Sequence, residues 1–302
     1  MIKIGLNETP LKLIYILGSG HSGSTLTDLM LGSHSSIESV GELNKLPEYV
    51  SPHSSRSDDK RVCTCGVHIS KCDYWNSILY QLDNSLAYEI NNIDTFNKNN
   101  YELIKNILSF TGKSILLDSS KNFDRLQKLI ASELFDITVI QLIRDGRAVA
   151  YSGQRKQKKL KESFGASYEQ EIKKMNKKKE FYDYFYALRN WTHFNLRSYQ
   201  SFSQDQRIRY LVLKYEDLVR NPKQSISELL NKLGLEFEEQ QLNFCGITHH
   251  NIAGNRMRLA KNNKIMLDEE YKSHLSFMQW WWATCIAYRG LKLFKYPLRR
   301  NL

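Results

Sequence analysis

The chain has 302 residues, of which 41% are hydrophobic and 25% are charged, and its formal net charge is +11. These fractions exclude disorder of the whole chain, and the length suits one large α/β domain or two modest ones. The positive charge favours an anionic partner but does not identify the class of that partner. The excess is largely local, because nine lysines lie between Lys156 and Lys179.

Apolar, strand-like runs alternate with helical patterns along the chain, which predicts a parallel sheet with crossover helices in a single α/β domain over residues 1–302. The predicted strands are 12–17, 37–40, 114–118, 137–143 and 208–213. The predicted helices are 24–31, 101–109, 123–134, 146–156 and 225–233, and 277–294 is expected to be an aromatic packing helix. Polar residues predict an excursion from the sheet at 46–100, and lysines predict a basic insertion at 156–180.

A glycine-rich loop follows the first predicted strand and precedes a helix, in ILGSGHSGSTLTDLML. Glycines let backbone N–H groups point at an oxyanion, and a helix start adds positive potential. The residues expected to bind phosphate or sulfate groups are Gly20, His21, Ser22, Gly23, Ser24 and Thr25. In a Walker A alignment Ser24 replaces the lysine that reaches the β- and γ-phosphates, so the loop favours a nucleotide with one phosphate there over ATP.

A second anion site is predicted where the fourth strand ends, in QLIRDGRAVAYSGQRK. Arg144 lies at the strand end, and Ser152 lies two helical turns beyond Asp145 on the same face. A guanidinium and a hydroxyl placed in this way can hold a phosphate between them. The alternative for Arg144 is a salt bridge with a carboxylate at the end of the sheet.

Together, HSGST at 21–25 and RDGRAVAYS at 144–152 resemble two motifs of the sulfotransferases that use 3'-phosphoadenosine 5'-phosphosulfate (PAPS). In that family the first motif, (Arg/Lys)-Ser-Gly-(Thr/Ser)-Thr, holds the 5'-phosphosulfate, and an Arg followed eight residues on by a Ser holds the 3'-phosphate. The likeness continues through 118–126, 211–222 and 253–258, as in a bacterial branch of the family.

The resemblance implies an α/β, three-layer P-loop-like fold with a central parallel sheet of about five strands flanked by helices. It also implies that PAPS is the co-substrate, that adenosine 3',5'-bisphosphate is the product, and that no metal is required. The acceptor would be a hydroxyl or amine of a small molecule or a carbohydrate.

Ligands of parallel α/β sheets bind beyond the carboxyl ends of the strands, and candidate residues follow each predicted strand. By the resemblance, Glu42 is expected to be the general base for the acceptor, and Lys121 is expected to neutralise charge that develops near the sulfate. The alternatives are a helix-capping or salt-bridged Glu42 and a solvated Lys121. Tyr215, after the fifth strand, is expected at the donor site. His21 departs from the Arg or Lys of the family: nearby phosphate groups would raise its pKa, or it would act as a base.

The C-terminal part contains a basic loop, AGNRMR at 253–258, which resembles the loop that closes over the 3'-phosphate in many sulfotransferases. Asn255, Arg256 and Arg258 are therefore expected to bind the donor. His249 and His250 precede this loop and are either surface histidines or residues that face the acceptor.

Three of the five cysteines cluster in CTCGVHISKCDYW. Cys63, Cys65 and Cys72 leave three interpretations open: a zinc site with His53 or His68 as fourth ligand, a local disulfide, or reduced structural thiols. The spacing is not a standard zinc motif, and the odd number of cysteines fits a reducing compartment.

Other classes of protein remain as alternatives. A nucleotide-dependent kinase on the same sheet would need ATP and Mg²⁺, against which the missing Walker lysine counts. An inactive sulfotransferase-like scaffold is suggested by His21. Nucleic acid is not an expected partner, because the lysine run contains no recognisable binding module. We find neither a secretory leader nor a transmembrane segment, and we expect a cytoplasmic protein; the oligomeric state is unknown.

Overall fold

The centre of the computed structural model, which describes residues 9–82, 84–164, 184–260, 262–263 and 265–300, is a five-stranded parallel β-sheet with the order β2-β3-β1-β4-β5. The strands are β1 (Leu11–Gly18), β2 (Ile37–Ser39), β3 (Ile115–Asp118), β4 (Phe135–Ile143) and β5 (Ile208–Lys214). All five lie where the apolar runs predict them, with ends shifted by at most two residues. The α/β, P-loop-like prediction is confirmed.

Helices cover both faces of the sheet. They are α1 (Ser24–Gly32), α2 (Leu46–Val50), α3 (Asp73–Tyr80), α4 (Asn84–Tyr88), α5 (Phe96–Thr111), α6 (Phe123–Ser132), α7 (Gly146–Phe164), α8 (Tyr184–Phe202), α9 (Tyr215–Arg220), α10 (Pro222–Leu233), α11 (Glu270–His274) and α12 (Phe277–Leu293). The predicted helices are present with changed ends. For example, α6 stops two residues before the predicted end, because Glu133 adopts a left-handed conformation with φ 58°.

The alternation of side chains along β1 divides the core into two layers. Leu13 and Leu17 pack with α5, α6 and the 46–100 excursion. Ile14 and Ile16 pack on the other face with α1, α9 and α10. Successive residues of a strand point to opposite faces, so the part of β1 that is buried on both faces, Leu13 to Leu17, is formed by apolar and aromatic residues. The result is the three-layer arrangement that the sequence predicts.

The residues of the predicted excursion, 46–100, pack against the sheet through their own buried side chains. Trp75 of α3, Ile78 and Ile90 are all fully buried in the layer that contains Leu13. The predicted basic insertion begins within α7, but its residues from 165 onward lie outside the described part of the chain.

A third cluster of buried residues joins α7, α8, α11 and α12 beside the end of β4. Helix α8 is not among the predicted helices, although Leu188, Trp191 and Asn195 are buried on one of its faces at helical spacing. α12 is the aromatic packing helix predicted at the C-terminus. Among the described residues, no helix combines the length and apolar character needed to cross a membrane.

A buried polar network connects α1 to the end of β2, to the residue after β3 and to the C-terminal segment. The Asp28 carboxylate accepts hydrogen bonds from Ser39 Oγ at 2.5 Å, Ser119 Oγ at 3.1 Å and Asn251 Nδ2 at 2.8 Å. Burial raises the pKa of Asp28 to about 7, and the hydrogen bonds from Ser39, Ser119 and Asn251 oppose that rise only in part.

We predict that Asp28→Asn changes how stability depends on pH. The folded protein keeps a proton on Asp28 that the unfolded chain releases, so this group stabilises the fold fully below the unfolded pKa and less as pH rises through about 7. The variant does not titrate at this position. The free energy of unfolding of the variant minus that of the wild type should therefore rise by about 2 kcal/mol between about pH 5 and about pH 8. Urea unfolding at both pH values measures this difference, and a difference independent of pH would contradict the prediction.

Candidate active site

A cavity of about 470 Å³ lies at the carboxyl-terminal edge of the sheet. The loops that follow the strands form its wall, which is where parallel α/β sheets bind their ligands. The structure brings eleven of the predicted residues together in this wall: Gly20, His21, Gly23, Ser24, Thr25, Glu42, Lys121, Arg144, Ser152, Tyr215 and Asn255.

The glycine-rich loop between β1 and α1 requires glycine at Gly23. This residue has φ 95°, and a Cβ there would overlap the Tyr215 ring. Gly23 precedes α1 without a side-chain cap, and the first N–H groups of a helix have no intrahelical acceptor. The start of α1 therefore presents donors and positive potential where Ser24 and Thr25 border the cavity. Ser22 does not border the cavity. Its Oγ is buried and has no hydrogen-bond partner among the described residues.

His21 adopts a left-handed conformation with φ 66° and lies among cations. Burial, followed by the charges of Lys156, Arg144 and Arg155, lowers the pKa of His21 to about 4. The imidazole of the protein alone is therefore neutral near pH 7. A raised pKa, as considered from the sequence, would need anionic groups beside His21 that outweigh these cations.

Arg144 is held at the cavity by several contacts. Its Nη1 donates to the His21 carbonyl oxygen at 3.1 Å, its Nη2 donates to the Asp268 carbonyl oxygen at 2.9 Å, and its guanidinium lies 4.6 Å from the centre of the Tyr215 ring. The ion pair considered as an alternative for Arg144 is also present, but its carboxylate comes from Asp268 in the C-terminal segment, at 3.2 Å. Nε has no partner among the described residues.

Asp268 bridges two arginines in the cavity wall. Its Oδ2 lies 3.2 Å from Arg144 Nη2 and 2.8 Å from Arg155 Nη2. Burial would raise the pKa of Asp268, but the two guanidiniums lower it below the ordinary value. Asp268 is therefore ionised near neutral pH, and its carboxylate lies between two cations where an anionic ligand would also be stabilised.

Glu42 and Lys121 form an ion pair in the cavity wall. Lys121 Nζ lies 2.6 Å from Glu42 Oε1 and also donates to the Ser119 carbonyl oxygen at 3.1 Å. The side chains are 18% and 17% exposed, so both remain accessible from the cavity. A carboxyl group and an amino group therefore lie side by side, an arrangement that suits displacement at a group whose leaving oxygen gains negative charge.

The C-terminal loop contacts the glycine-rich loop through its backbone. Asn255 N donates to Thr25 Oγ1 at 3.2 Å, and Gly254 and Asn255 border the cavity. Arg258 does not border it: its guanidinium donates to the carbonyl oxygens of Val62 and Asn251. It therefore fixes the excursion to the C-terminal segment, contrary to the expected phosphate contact.

The Arg256 side chain lies outside the part of the structure that is described. Three charged residues of the wall were missed from the sequence. Arg155 and Lys156 follow Ser152 at the spacing of one helical face, which is a signal that could have found them. Asp268 comes from an irregular segment, and no pattern in the sequence indicates its position.

These features define a P-loop-like α/β protein in which, among the described residues, four lysine and arginine residues and two acidic residues border the cavity. A model described as "Sulfotransferase family" matches residues 14–239, and the chain therefore belongs to the sulfotransferase family. A search of curated proteins gave no match.

Two solved structures are similar in fold. The sulfotransferase domain from the curacin biosynthetic pathway has a TM-score of 0.62 and 22% identity, with 97% of this chain and 100% of that chain covered. The sulfotransferase domain from the Synechococcus PCC 7002 olefin synthase has a TM-score of 0.52 and 21% identity, with 98% of each chain covered. At these identities the likeness supports the fold.

We predict that Gly23→Ala destabilises the protein by about 1–3 kcal/mol, because it combines a left-handed backbone with overlap against Tyr215. Gly20→Ala is the matched control in the same loop, since a Cβ there meets no atom within 4 Å. It should change the free energy of unfolding by less than about 1 kcal/mol. Urea unfolding of both variants measures this, and equal losses would show that the loop conformation does not require Gly23.

Proposed function

We propose that this protein transfers the sulfuryl group of 3'-phosphoadenosine 5'-phosphosulfate to a hydroxyl or amine of a small-molecule or carbohydrate acceptor and releases adenosine 3',5'-bisphosphate. Family membership supports sulfuryl transfer. The choice of donor is supported by one observation: the glycine-rich loop, Arg144 with Ser152, and the Glu42–Lys121 ion pair all border the same cavity.

The proposed donor would place its two anionic groups at different parts of the cavity wall. The 5'-phosphosulfate would lie at the start of α1, against backbone N–H groups and the hydroxyls of Ser24 and Thr25. Ser24 occupies the Walker lysine position, so that position offers no cation to β- and γ-phosphates. The 3'-phosphate would lie by Arg144 and Ser152 and would take the place of the Asp268 carboxylate as partner of Arg144.

Sulfuryl transfer follows the logic of phosphoryl transfer, with in-line displacement and little covalent work for the protein. Glu42 would take the proton of the acceptor as its oxygen or nitrogen attacks sulfur. The bond between sulfur and the bridging phosphate oxygen breaks, and Lys121 would neutralise the charge that grows on that oxygen. His21, neutral in the protein alone, would gain a proton more readily once the anionic donor is bound.

The first test is Glu42→Gln. Loss of the base should lower release of adenosine 3',5'-bisphosphate from PAPS at least about 100-fold, measured with the best acceptor from a panel of phenols, alcohols, amines and sugars. Calorimetric affinity for adenosine 3',5'-bisphosphate should stay within about threefold, because no acceptor takes part in that binding. Glu228→Gln, on the exposed side of α10, is the control and should keep full turnover. Unchanged turnover in Glu42→Gln would remove Glu42 as the base.

The second test concerns the 3'-phosphate. Wild-type protein should bind adenosine 3',5'-bisphosphate more tightly than adenosine 5'-monophosphate, and Arg144→Ala should reduce that preference at least about tenfold, because a charged hydrogen-bond partner is lost. Arg207→Ala is the control, since Arg207 is exposed at the opposite end of β5 and pairs with Asp205. A preference that Arg144→Ala leaves intact would place the 3'-phosphate elsewhere.

A further inference from the structure

Four potential metal ligands meet outside the cavity, where the excursion contacts the C-terminal segment. Cys63, Cys65, Cys72 and His250 place their ligand atoms within 4.8 Å of one another. The two histidines that the sequence suggested as a fourth ligand are not part of this group. His53 is exposed, and His68 Nδ1 is 2.7 Å from Ser70 Oγ. His250 comes from a segment 178 residues beyond Cys72, so only the fold reveals it.

Four of the six separations between these ligand atoms match the edges of a zinc tetrahedron, and all six are within 4.8 Å. Zn–S bonds of about 2.3 Å and Zn–N bonds of about 2.0 Å imply S–S edges of about 3.8 Å and S–N edges of about 3.5 Å. The Sγ atom of Cys72 lies 3.7 Å from those of both Cys63 and Cys65. His250 Nδ1 lies 3.4 Å from Cys72 Sγ and 3.7 Å from Cys63 Sγ. A disulfide would bring two sulfurs to about 2.05 Å, which none of these pairs approaches.

The surroundings hold the four side chains in these positions. Cys63 N donates to the Val67 carbonyl oxygen, and Gly66 N donates to the Cys63 carbonyl oxygen, which forms a tight turn around Cys65. The His250 ring stacks on Tyr74 with centroids 4.4 Å apart and planes 1° apart. Trp75 Nε1 donates to the His250 carbonyl oxygen at 2.8 Å. Such outer contacts orient metal ligands.

We propose that Cys63, Cys65, Cys72 and His250 bind one zinc ion in a closed, structural site. Three thiolates and one imidazole complete a tetrahedron and leave no position for a water or substrate, as in structural zinc sites. None of the four residues borders the donor cavity. The expectation that no metal is required for sulfuryl transfer is therefore compatible with a zinc ion that stabilises the fold.

The site would fix the C-terminal segment that borders the cavity. His250 is followed directly by Asn251, whose side chain reaches Asp28, and by Ile252, whose backbone pairs with Gly41 beside Glu42. Two residues further on, Gly254 borders the cavity. A bond from zinc to His250 thus joins the excursion to the strand ends that carry the site.

The test begins with the full-length protein purified without chelators. Mass-spectrometric metal analysis should find one zinc ion per chain, and Cys72→Ser should reduce the zinc content to background. Cys285→Ser and Cys245→Ser are matched controls outside the cluster and should keep their zinc. Three results for the wild-type protein would overturn the proposal. They are the absence of zinc together with reactive thiols, a disulfide within the cluster, and iron in place of zinc.

Two measurements avoid reliance on a variant that fails to fold. Replacement of the metal with Co²⁺ in wild-type protein should give the visible absorption of tetrahedral thiolate coordination. A strong chelator should lower the melting temperature by about 5 °C or more and increase hydrogen exchange in residues 61–75 and 247–253, but not in β4. A Co²⁺ spectrum without thiolate bands would contradict the site. None of these readouts needs donor or acceptor, so they succeed or fail independently of the proposed sulfuryl transfer.

Discussion

Because β1 pairs in parallel with both β3 and β4, the loops after all three strands leave the sheet at the same edge. β2 and β5 extend the parallel pairing outward and bring Glu42 and Tyr215 to that edge as well. The parallel pairing of the strands therefore brings residues that are far apart in the chain to one edge of the sheet. The glycine-rich loop, the Glu42–Lys121 pair and Arg144 depend on this one constraint.

The sheet supplies only part of the wall, and the C-terminal segment supplies the rest. Gly41 has φ 75°, and a Cβ there would overlap the carbonyl oxygen of Ile252, so glycine allows the two backbones to pair. Asn251 then reaches the buried Asp28, and Asp268 reaches Arg144 and Arg155 farther along. These contacts tie the C-terminal segment to α1 through Asn251 and to the cavity wall through Asp268.

The strands and the glycine-rich loop could be predicted from the sequence because they depend on local patterns. Apolar runs are buried on both faces of a parallel sheet, and Gly23 is needed for a local turn. The positions of Arg258, Asp268 and His250 could not be predicted, since each is set by contacts with distant parts of the chain. Arg258 contacts the excursion, Asp268 contacts the arginines, and His250 meets the three cysteines.

If this protein uses the proposed donor, its cavity binds a nucleotide with a single phosphate in the loop and a second phosphate at Arg144. Calorimetric titration of adenosine 3',5'-bisphosphate and of ATP, each with and without Mg²⁺, tests it most directly. We predict tight binding of adenosine 3',5'-bisphosphate that does not depend on Mg²⁺, and weak binding of ATP under both conditions. Preferential binding of ATP with Mg²⁺ would contradict the account and would favour a kinase-like use of the same loop.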